Sequence, residues 1–595
     1  MREYSTPLEV EVPTTGNLTD DIVRNAEADP DRVAFSRRGP DGGWEDVTAA
    51  AFLAEVRGVA KGLVAAGVEP GDRVAIMSST RYEWTLVDYA IWFAGAVTVP
   101  LYETSSIEQI RWALEDSGTR ALVAESPADL DRVGEARAIT APLERVWSFE
   151  QDAVAALTEQ GAGVSDEDLE KRRTAVTPDS LATIVYTSGT TGRPKGCLLT
   201  HGNFMAEVGA AVSGLHELFE DPEAATLLFL PLAHVFARVI QVGAVNARVR
   251  LGHAPDVKRL LPDLQSFRPT FILAVPRVFE KVFNTASQNA AADGKGRVFD
   301  LAATTAIAYS QSLDHRGPGP LLRLRHKAFD RLVYAKLREA LGGSCRYAVS
   351  GGAPLGERLG HFYRGIGLVV VEGYGLTETT AAITANVPET SKIGSVGRPL
   401  GGTTIRVADD GELLVRGGQV FSGYWNNPKA TEEILVDGWL HTGDLGEIDD
   451  EGFVRISGRK KEIIVTAGGK NVAPTVLEDR LRGHHLVSQC MVVGDGRPYI
   501  AALVTIDPDA LTPWAEHHKK PNDVARLTED DDLRSAIQSA VDDANKAVSQ
   551  AESIRRFTIL PVDWTEEAGH LTPSLKLRRD RVMREFRADV ERLYS

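Results

Sequence analysis

Apolar positions recur along the chain in two periods. Before Gly401, short apolar runs bounded by turn residues alternate with segments whose apolar residues return every three or four positions. Val33 to Ser36, Val74 to Met77, Val97 to Pro100 and Arg120 to Ala124 read as strands. Between them, Asn17 to Ala28 and Trp84 to Ala94 read as helices, Thr48 caps a helix through Ala66, and Ser105 or Ser106 opens another. Leu181 to Val185, Leu227 to Leu230, Thr270 to Val275, Arg346 to Ser350 and Leu368 to Glu372 continue the strands. This alternation predicts an α/β fold, a largely parallel sheet covered by helices. Asp152 to Thr177 is charged and helix-rich. Asn284 to Arg338 is rich in Ala, Arg and Lys, helical in pattern, and broken at Gly317-Pro318-Gly319-Pro320; it reads as a helical insertion on the side of the core.

From Gly401 the texture changes. Thr404 to Val407, Glu412 to Arg416 and Phe453 to Ile456 are short, alternating and turn-bounded, which predicts a small β subdomain. Beyond Gly458, Glu462 to Val465, Val476 to Leu481, Val487 to Val493, Tyr499 to Val504 and a helix over Asp531 to Ala551 predict a compact α/β unit.

Composition narrows the class. A chain of 595 residues can form several packed units, and 43% hydrophobic with 25% charged residues is ordinary for a globular protein. A net charge of −17 argues against a nucleic-acid-binding surface. Cys197, Cys345 and Cys490 are too far apart to form a metal cluster or disulfide framework, so a reduced, cytoplasmic setting is expected. Met1 to Thr15 lacks the apolar core of a signal peptide, and the most apolar run, Tyr89 to Leu101, is too short to span a bilayer. Peripheral contact at the inner membrane face is left open. No pattern fixes an oligomeric state.

The chemistry centres on Tyr186-Thr187-Ser188-Gly189-Thr190-Thr191-Gly192-Arg193-Pro194-Lys195-Gly196. Hydroxyl and glycine residues after a buried strand let backbone N–H groups close around phosphate oxygens, and a lysine adds charge. The loop differs from the G-x-x-x-x-G-K-[ST] phosphate loop: Gly189 and Gly192 are too close, and Gly196 follows Lys195. A second segment is Pro231-Leu232-Ala233-His234-Val235-Phe236; taken alone, its histidine reads as a packed core residue. In Ser350-Gly351-Gly352-Ala353-Pro354, paired glycines after a strand allow close ligand approach. In Glu372-Gly373-Tyr374-Gly375-Leu376-Thr377-Glu378-Thr379, a ring between glycines can lie against a purine and Thr377 can donate to a phosphate. Glu378 is a hard oxygen ligand suited to Mg²⁺, or a cap on a following helix. Trp439-Leu440-His441-Thr442-Gly443-Asp444 supplies a carboxylate that can accept from two ribose hydroxyls. Gly458-Arg459-Lys460-Lys461-Glu462 and Leu571-Thr572-Pro573-Ser574-Leu575-Lys576-Leu577 complete the set.

These segments, in this order over most of the chain, resemble the adenylate-forming enzymes: acyl-CoA synthetases, luciferases and peptide-synthetase adenylation domains. Gly423-Tyr424-Trp425-Asn426-Asn427-Pro428 and Gly468-Gly469-Lys470-Asn471-Val472-Ala473-Pro474 are most similar to the bacterial long-chain fatty-acid CoA ligases. The resemblance implies a large N-terminal domain of helix-covered sheets with its small β subdomain over residues 1–457. It implies a hinge at 458–461, centred on Lys461, and a small mobile α/β C-terminal domain over 462–595. It implies that Thr187, Ser188, Gly189, Thr190, Thr191 and Lys195 hold the ATP phosphates, and that Gly352, Ala353, Pro354, Gly373, Tyr374 and Gly375 flank adenine. Asp444 and Arg459 take the ribose, Thr377 and Glu378 the α-phosphate and Mg²⁺. His234 lies near the acyl pocket, and Lys576 reaches in on a C-terminal loop. Many members carry glycine before that lysine, where this chain has Leu575.

The implied reaction joins a fatty acid to ATP, giving acyl-AMP and pyrophosphate, and then transfers the acyl group to coenzyme A. An acyl-AMP ligase or free adenylation enzyme serving a carrier protein is the nearest alternative. A luciferase-like oxygenase, a P-loop kinase or ATPase releasing ADP, and a non-catalytic nucleotide sensor are more distant ones.

Overall fold

The structure is a computed structural model, and it describes residues 1–595 except 138–142, 144, 188–192, 257–258 and 573–574. Its apolar runs form two large sheets. The first has six strands in the order Arg145–Ser148, Ala121–Ala124, Arg73–Met77, Val97–Leu101, Leu181–Thr187 and Lys195–Thr200. All pair in parallel except the last, which returns antiparallel to Leu181–Thr187. The second has nine strands, six of them in parallel register from Val33–Arg38 through Arg250–His253, Ala225–Leu228, Phe271–Ala274 and Tyr347–Ser350 to Val369–Tyr374. Helix-covered parallel strands are buried on both faces, which explains their continuous apolar runs.

Local signals behave as the sequence predicts. Thr48 accepts from the Ala51 N–H at the start of Ala49–Ala65. Ser106 forms a reciprocal cap with Gln109 at the start of Ile107–Ser117. The insertion consists of the helices Pro276–Ala292, Gly296–Leu313, Pro320–Phe329 and Ala335–Ala340, with a π turn at Asp330–Tyr334. Among the described residues, seven strands of three or more residues were not anticipated: Glu3–Ser5, Trp44–Thr48, Arg145–Ser148, Lys195–Thr200, Arg250–His253, the ten-residue Trp439–Ile448 and Ile554–Ile559.

Thr404–Val407, Glu412–Arg416, Trp439–Ile448 and Val454–Arg459 build an antiparallel sheet, with Glu3–Ser5 on one edge. Beyond it, Val487–Val493, Ile500–Ile506 and Ile554–Ile559 form a three-stranded sheet with its own core around Leu477, Val504 and Ile537. This unit rests on the larger body. Arg277 reaches Asp507 at 3.2 Å, and Arg358 donates to the Gly483 carbonyl at 3.1 Å.

A buried ion pair ties the parts that lead to the site. Arg238 and Asp88 are both fully buried, and Arg238 also donates to Thr183 Oγ1 at 2.6 Å. Arg238 lies on the helix Val235–Asn246 and Thr183 on Leu181–Thr187, so the helix after His234 is locked to the strand that enters the phosphate loop.

Candidate active site

The segments singled out in the sequence converge on one cavity of about 840 Å³. Thr187 and Lys195 sit opposite each other in the hairpin register at the base of the phosphate loop. Ser188, Gly189, Thr190 and Thr191 lie outside the described residues. The Lys195 ammonium stands 4.8 Å from the centre of the Tyr424 ring, and Tyr424 donates to Glu378 Oε1 at 2.6 Å. A cation, a phenol and a carboxylate therefore follow one another along the cavity wall. Tyr424 occupies one oxygen of Glu378. A hard carboxylate oxygen beside a phosphate loop suits Mg²⁺, and Glu378 is the residue here that would hold it. Glu378 does not cap a helix: Thr377–Thr379 is a single 3₁₀ turn, and its capping oxygen comes from Thr379.

Tyr347–Ser350 ends in a turn with Gly352 at φ 81°. Gly351 and Gly352 line the cavity, whereas Ala353 and Pro354 are exposed on the same turn and do not. A Cβ on Gly351 would approach the Phe236 ring to 3.0 Å. Across the site, a Cβ on Gly375 would stand 1.5 Å from the Ala381 carbonyl oxygen, so no other residue fits there. A Cβ on Gly373 would stand 3.0 Å from the Thr384 carbonyl oxygen, a tighter than ordinary contact. The two glycines let Tyr374 run tight against its neighbours while its hydroxyl donates to Asp444 Oδ2 at 2.6 Å. Arg459 Nε lies 2.9 Å from Asp444 Oδ1, so Asp444 is held from both sides. Burial works against the Arg459 charge, but Asp444 and Glu462 outweigh it and raise the pKa.

His234 sits at the turn into Val235–Asn246, and its Nδ1 accepts from the Phe236 N–H at 3.2 Å. That bond puts the neutral ring's proton on Nε2. Burial first, and Lys576 second, lower its pKa to about 3, so it is uncharged in the working range.

Lys576 occupies a tight loop. Leu571 and Leu577 bridge its ends, Thr572 N–H donates to the Lys576 carbonyl at 2.8 Å, and Thr572 Oγ1 accepts from the Lys576 N–H at 3.0 Å. A Cβ on Gly352 would lie 4.0 Å from Lys576 Cε, which places the ammonium inside the cavity of the larger body. Its side chain stays open to the cavity while protein encloses it. That enclosure lowers its pKa, Arg459 adds to the effect, and Asp444, Glu378 and Glu462 oppose it. Leu575 has φ 61°, the left-handed region. The loop needs that backbone angle, which accounts for a preference for glycine before the lysine; leucine adopts it at a cost of about 1–2 kcal/mol. Lys461 lies in the 3₁₀ turn Lys460–Glu462 on the cavity rim, beside Lys460, which reaches Glu412 at 3.1 Å.

The other end of the cavity is apolar, lined by Ala211, Leu215, Val239, Ile240, Ala385 and Leu400. Glu207, also on its lining, is fully buried; its Oε1 accepts from the Ala382 N–H at 2.9 Å. Burial raises its pKa to about 8, so a protonated acid leaves this end uncharged at neutral pH. Glu207, Glu412 and Tyr424 went unrecognised in the sequence. Tyr424 was visible only as part of a motif, and the other two are isolated acids with no local signal. Cys197 is fully buried, with its thiol pKa pushed well up, and belongs to the core.

A polar end with the Glu378 carboxylate, Lys195, Lys576 and the Asp444-paired Arg459, joined to an apolar slot, suits a nucleotide and an acyl chain meeting end to end. Comparison with known proteins agrees. The AMP-binding enzyme family matches residues 22–425, and the AMP-binding enzyme C-terminal domain matches residues 461–595. The chain is 52% identical over 600 residues to the long-chain-fatty-acid–CoA ligase FadD15 of Mycobacterium tuberculosis, covering all of both chains. It is 30% identical to the peroxisomal long chain acyl-CoA synthetase 7 of Arabidopsis thaliana, over 98% of this chain and 87% of that one. Among solved structures, ATP-bound MatB from Rhodopseudomonas palustris superposes with a TM-score of 0.71 at 25% identity, covering 96% of this chain and 99% of that one. The o-succinylbenzoate CoA synthetase of Bacillus subtilis, with its acyl-adenylate bound, gives 0.69 at 23% identity, covering 96% and 98%, and shows the shared fold. The chain belongs to the AMP-binding, adenylate-forming enzyme family.

Proposed function

We propose that this enzyme activates a long-chain fatty acid with ATP, releasing pyrophosphate, and passes the acyl group from the resulting acyl-AMP to coenzyme A, releasing AMP. The observation that carries this reading is Lys576, on a loop of the C-terminal unit, entering the same cavity as Lys195, Glu378 and Arg459, the partner of Asp444. A carboxylate attacking the α-phosphorus brings two anions together, and charge builds on the departing pyrophosphate. Lys195 and Lys576 offset that charge from two sides. Mg²⁺, held through Glu378 and the phosphates, would supply further charge neutralisation. Thr187 and the loop after it take the phosphates, Thr377 the α-phosphate, Tyr374 with Gly373, Gly375 and Gly352 the adenine, and Asp444 with Arg459 the ribose. His234, neutral with its Nε2 proton free to donate, meets the carboxyl end of the acyl chain.

The thiol of coenzyme A must reach the adenylate carbonyl on the face that Lys576 covers. The residues 458–461 serve as the hinge between a domain over 1–457 and a mobile one over 462–595. Turning about Lys461 breaks the Arg277–Asp507 contact and withdraws Lys576. The enzyme acts in the cytoplasm. The experiment is product analysis with fatty acid and ATP, with and without coenzyme A. AMP and pyrophosphate with acyl-CoA support the reading. ADP as product excludes it, and turnover that ignores coenzyme A but needs a carrier protein assigns the acyl-AMP ligase alternative.

A further inference from the structure

The helical insertion carries a surface that the reaction does not use. Leu321, Leu324 and Leu332 are 71%, 67% and 60% exposed, the three most exposed large apolar side chains among the described residues. They follow one another at helical spacing along Pro320–Phe329 and the π turn Asp330–Tyr334, with exposed Ala328 between. Single exposed leucines are common, but a stripe of them on one helix face is not. Val298, Leu301 and Leu313, on the neighbouring helix Gly296–Leu313, are also exposed.

The charge of this segment runs against that of the chain. Residues 320–340 hold six Lys and Arg against two acidic residues, a net of +4 in a chain of net −17. Asp330 is already paired with Arg338 at 2.8 Å, and Arg325 turns inward to Thr305 Oγ1 at 3.4 Å, which leaves Arg323, Lys327, Arg331 and Lys336 to flank the leucines. The inner face is firmly anchored: His326 stacks on Tyr309 at 3.8 Å, and the Tyr334 hydroxyl donates to the Ala302 carbonyl at 2.7 Å. The stripe is therefore a presented face and not a frayed one.

We propose that the outer face of residues 320–340 docks the enzyme on an anionic lipid bilayer, leucines in the acyl boundary and cations on the headgroups. A helix face of leucines bordered by Lys and Arg is the pattern that lies in a membrane interface. Apolar area and positive charge in one strip fit that surface in both respects. A second copy of the chain fits less well, because an isologous contact would set this basic strip against itself. The proposal rests on the fatty-acid reading only for the reason a bilayer is visited: long-chain acids partition into it.

The test is sedimentation of the full chain with vesicles, without substrate. One set is phosphatidylcholine, the other an equimolar mixture with phosphatidylglycerol. The wild type is expected to sediment with the mixed vesicles, less at high salt, and to leave phosphatidylcholine largely in solution. Arg323→Gln/Lys327→Gln/Arg331→Gln should weaken binding roughly 100-fold, and Leu321→Glu/Leu324→Glu at least about 10-fold. Both variants should melt as the wild type does and release AMP normally with a short, dissolved acid. Equal binding to both vesicle types, or variants that bind as the wild type, overturns the proposal. A dimer lost in the leucine variant also overturns it, assigning the face to a second copy. Intact vesicle binding without any AMP release would refute the proposed reaction and leave the docking surface standing.

Discussion

Asp444→Asn tests the ribose contact quantitatively. The carboxylate is 3% exposed and offers about four lone-pair positions, of which Tyr374 and Arg459 take two. Two remain, matching the two ribose hydroxyls. Asparagine keeps the shape and can still accept from Tyr374, but its amide presents hydrogens where acceptors are needed. Losing hydrogen bonds to a charged group costs about 1.5–3 kcal/mol, or roughly 10- to 150-fold in the KM for ATP. The Arg459 contact adds little, because its side chain is about half exposed. Pyrophosphate release at saturating fatty acid and varied ATP gives the KM, and repeating it with 2′,3′-dideoxy-ATP isolates the hydroxyls. The wild type should lose affinity for the dideoxy nucleotide, and the variant should show almost no further loss. If the two effects add fully, Asp444 does not read the ribose and the reasoning fails.

Arg238→Ala should destabilise the fold by about 3–5 kcal/mol in urea unfolding, because it strands the fully buried Asp88 carboxylate. Stability should also fall as pH drops below about 6.5: burial lowers His201 to about 3 and His253 to about 4, so the unfolded chain binds protons that the fold refuses. Each contributes a loss of about 1.4 kcal/mol per pH unit from about 6.5 towards those values, and a flat profile between pH 7 and 5 would contradict it. Leu575→Gly should be more stable than Leu575→Ala by about 1 kcal/mol in denaturant unfolding, since only glycine relaxes at φ 61°. The reverse order would show that the loop does not hold this angle in solution.

Most of the parallel strands were legible because burial on both faces writes them as unbroken apolar runs; Arg145–Ser148, Arg250–His253 and Ile554–Ile559 carry arginines and were not. Several of the missed strands owe their state to a pairing partner and not to a pattern of their own. Glu3–Ser5 is polar and exists by pairing with Thr404–Val407, some 400 residues away. Trp44–Thr48 carries exposed acids and borrows its register from Val33–Arg38. Trp439–Ile448 was read for the chemistry of Asp444, and its extended backbone was not recognised. The same limit applied at the site. Lys195, Tyr374, Glu378, Asp444 and Lys576 stood out through local chemistry or a motif. That Tyr424 would bond Glu378 and that Glu412 would accept from Gly443 and Lys460 are contacts made by folding alone. Leu575 was noticed as a departure from a family pattern, and only its φ gave the reason.

The most direct measurement separates the two half-reactions in Lys576→Ala. Pyrophosphate release from fatty acid and ATP follows the first, and acyl-CoA formation from supplied acyl-AMP and coenzyme A follows the second. With Lys576 inside the nucleotide cavity balancing charge on the departing pyrophosphate, the first should fall by about two orders of magnitude or more. The second should stay close to wild type, because the lysine has withdrawn before the thiol arrives. An equal loss in both rates would contradict the account.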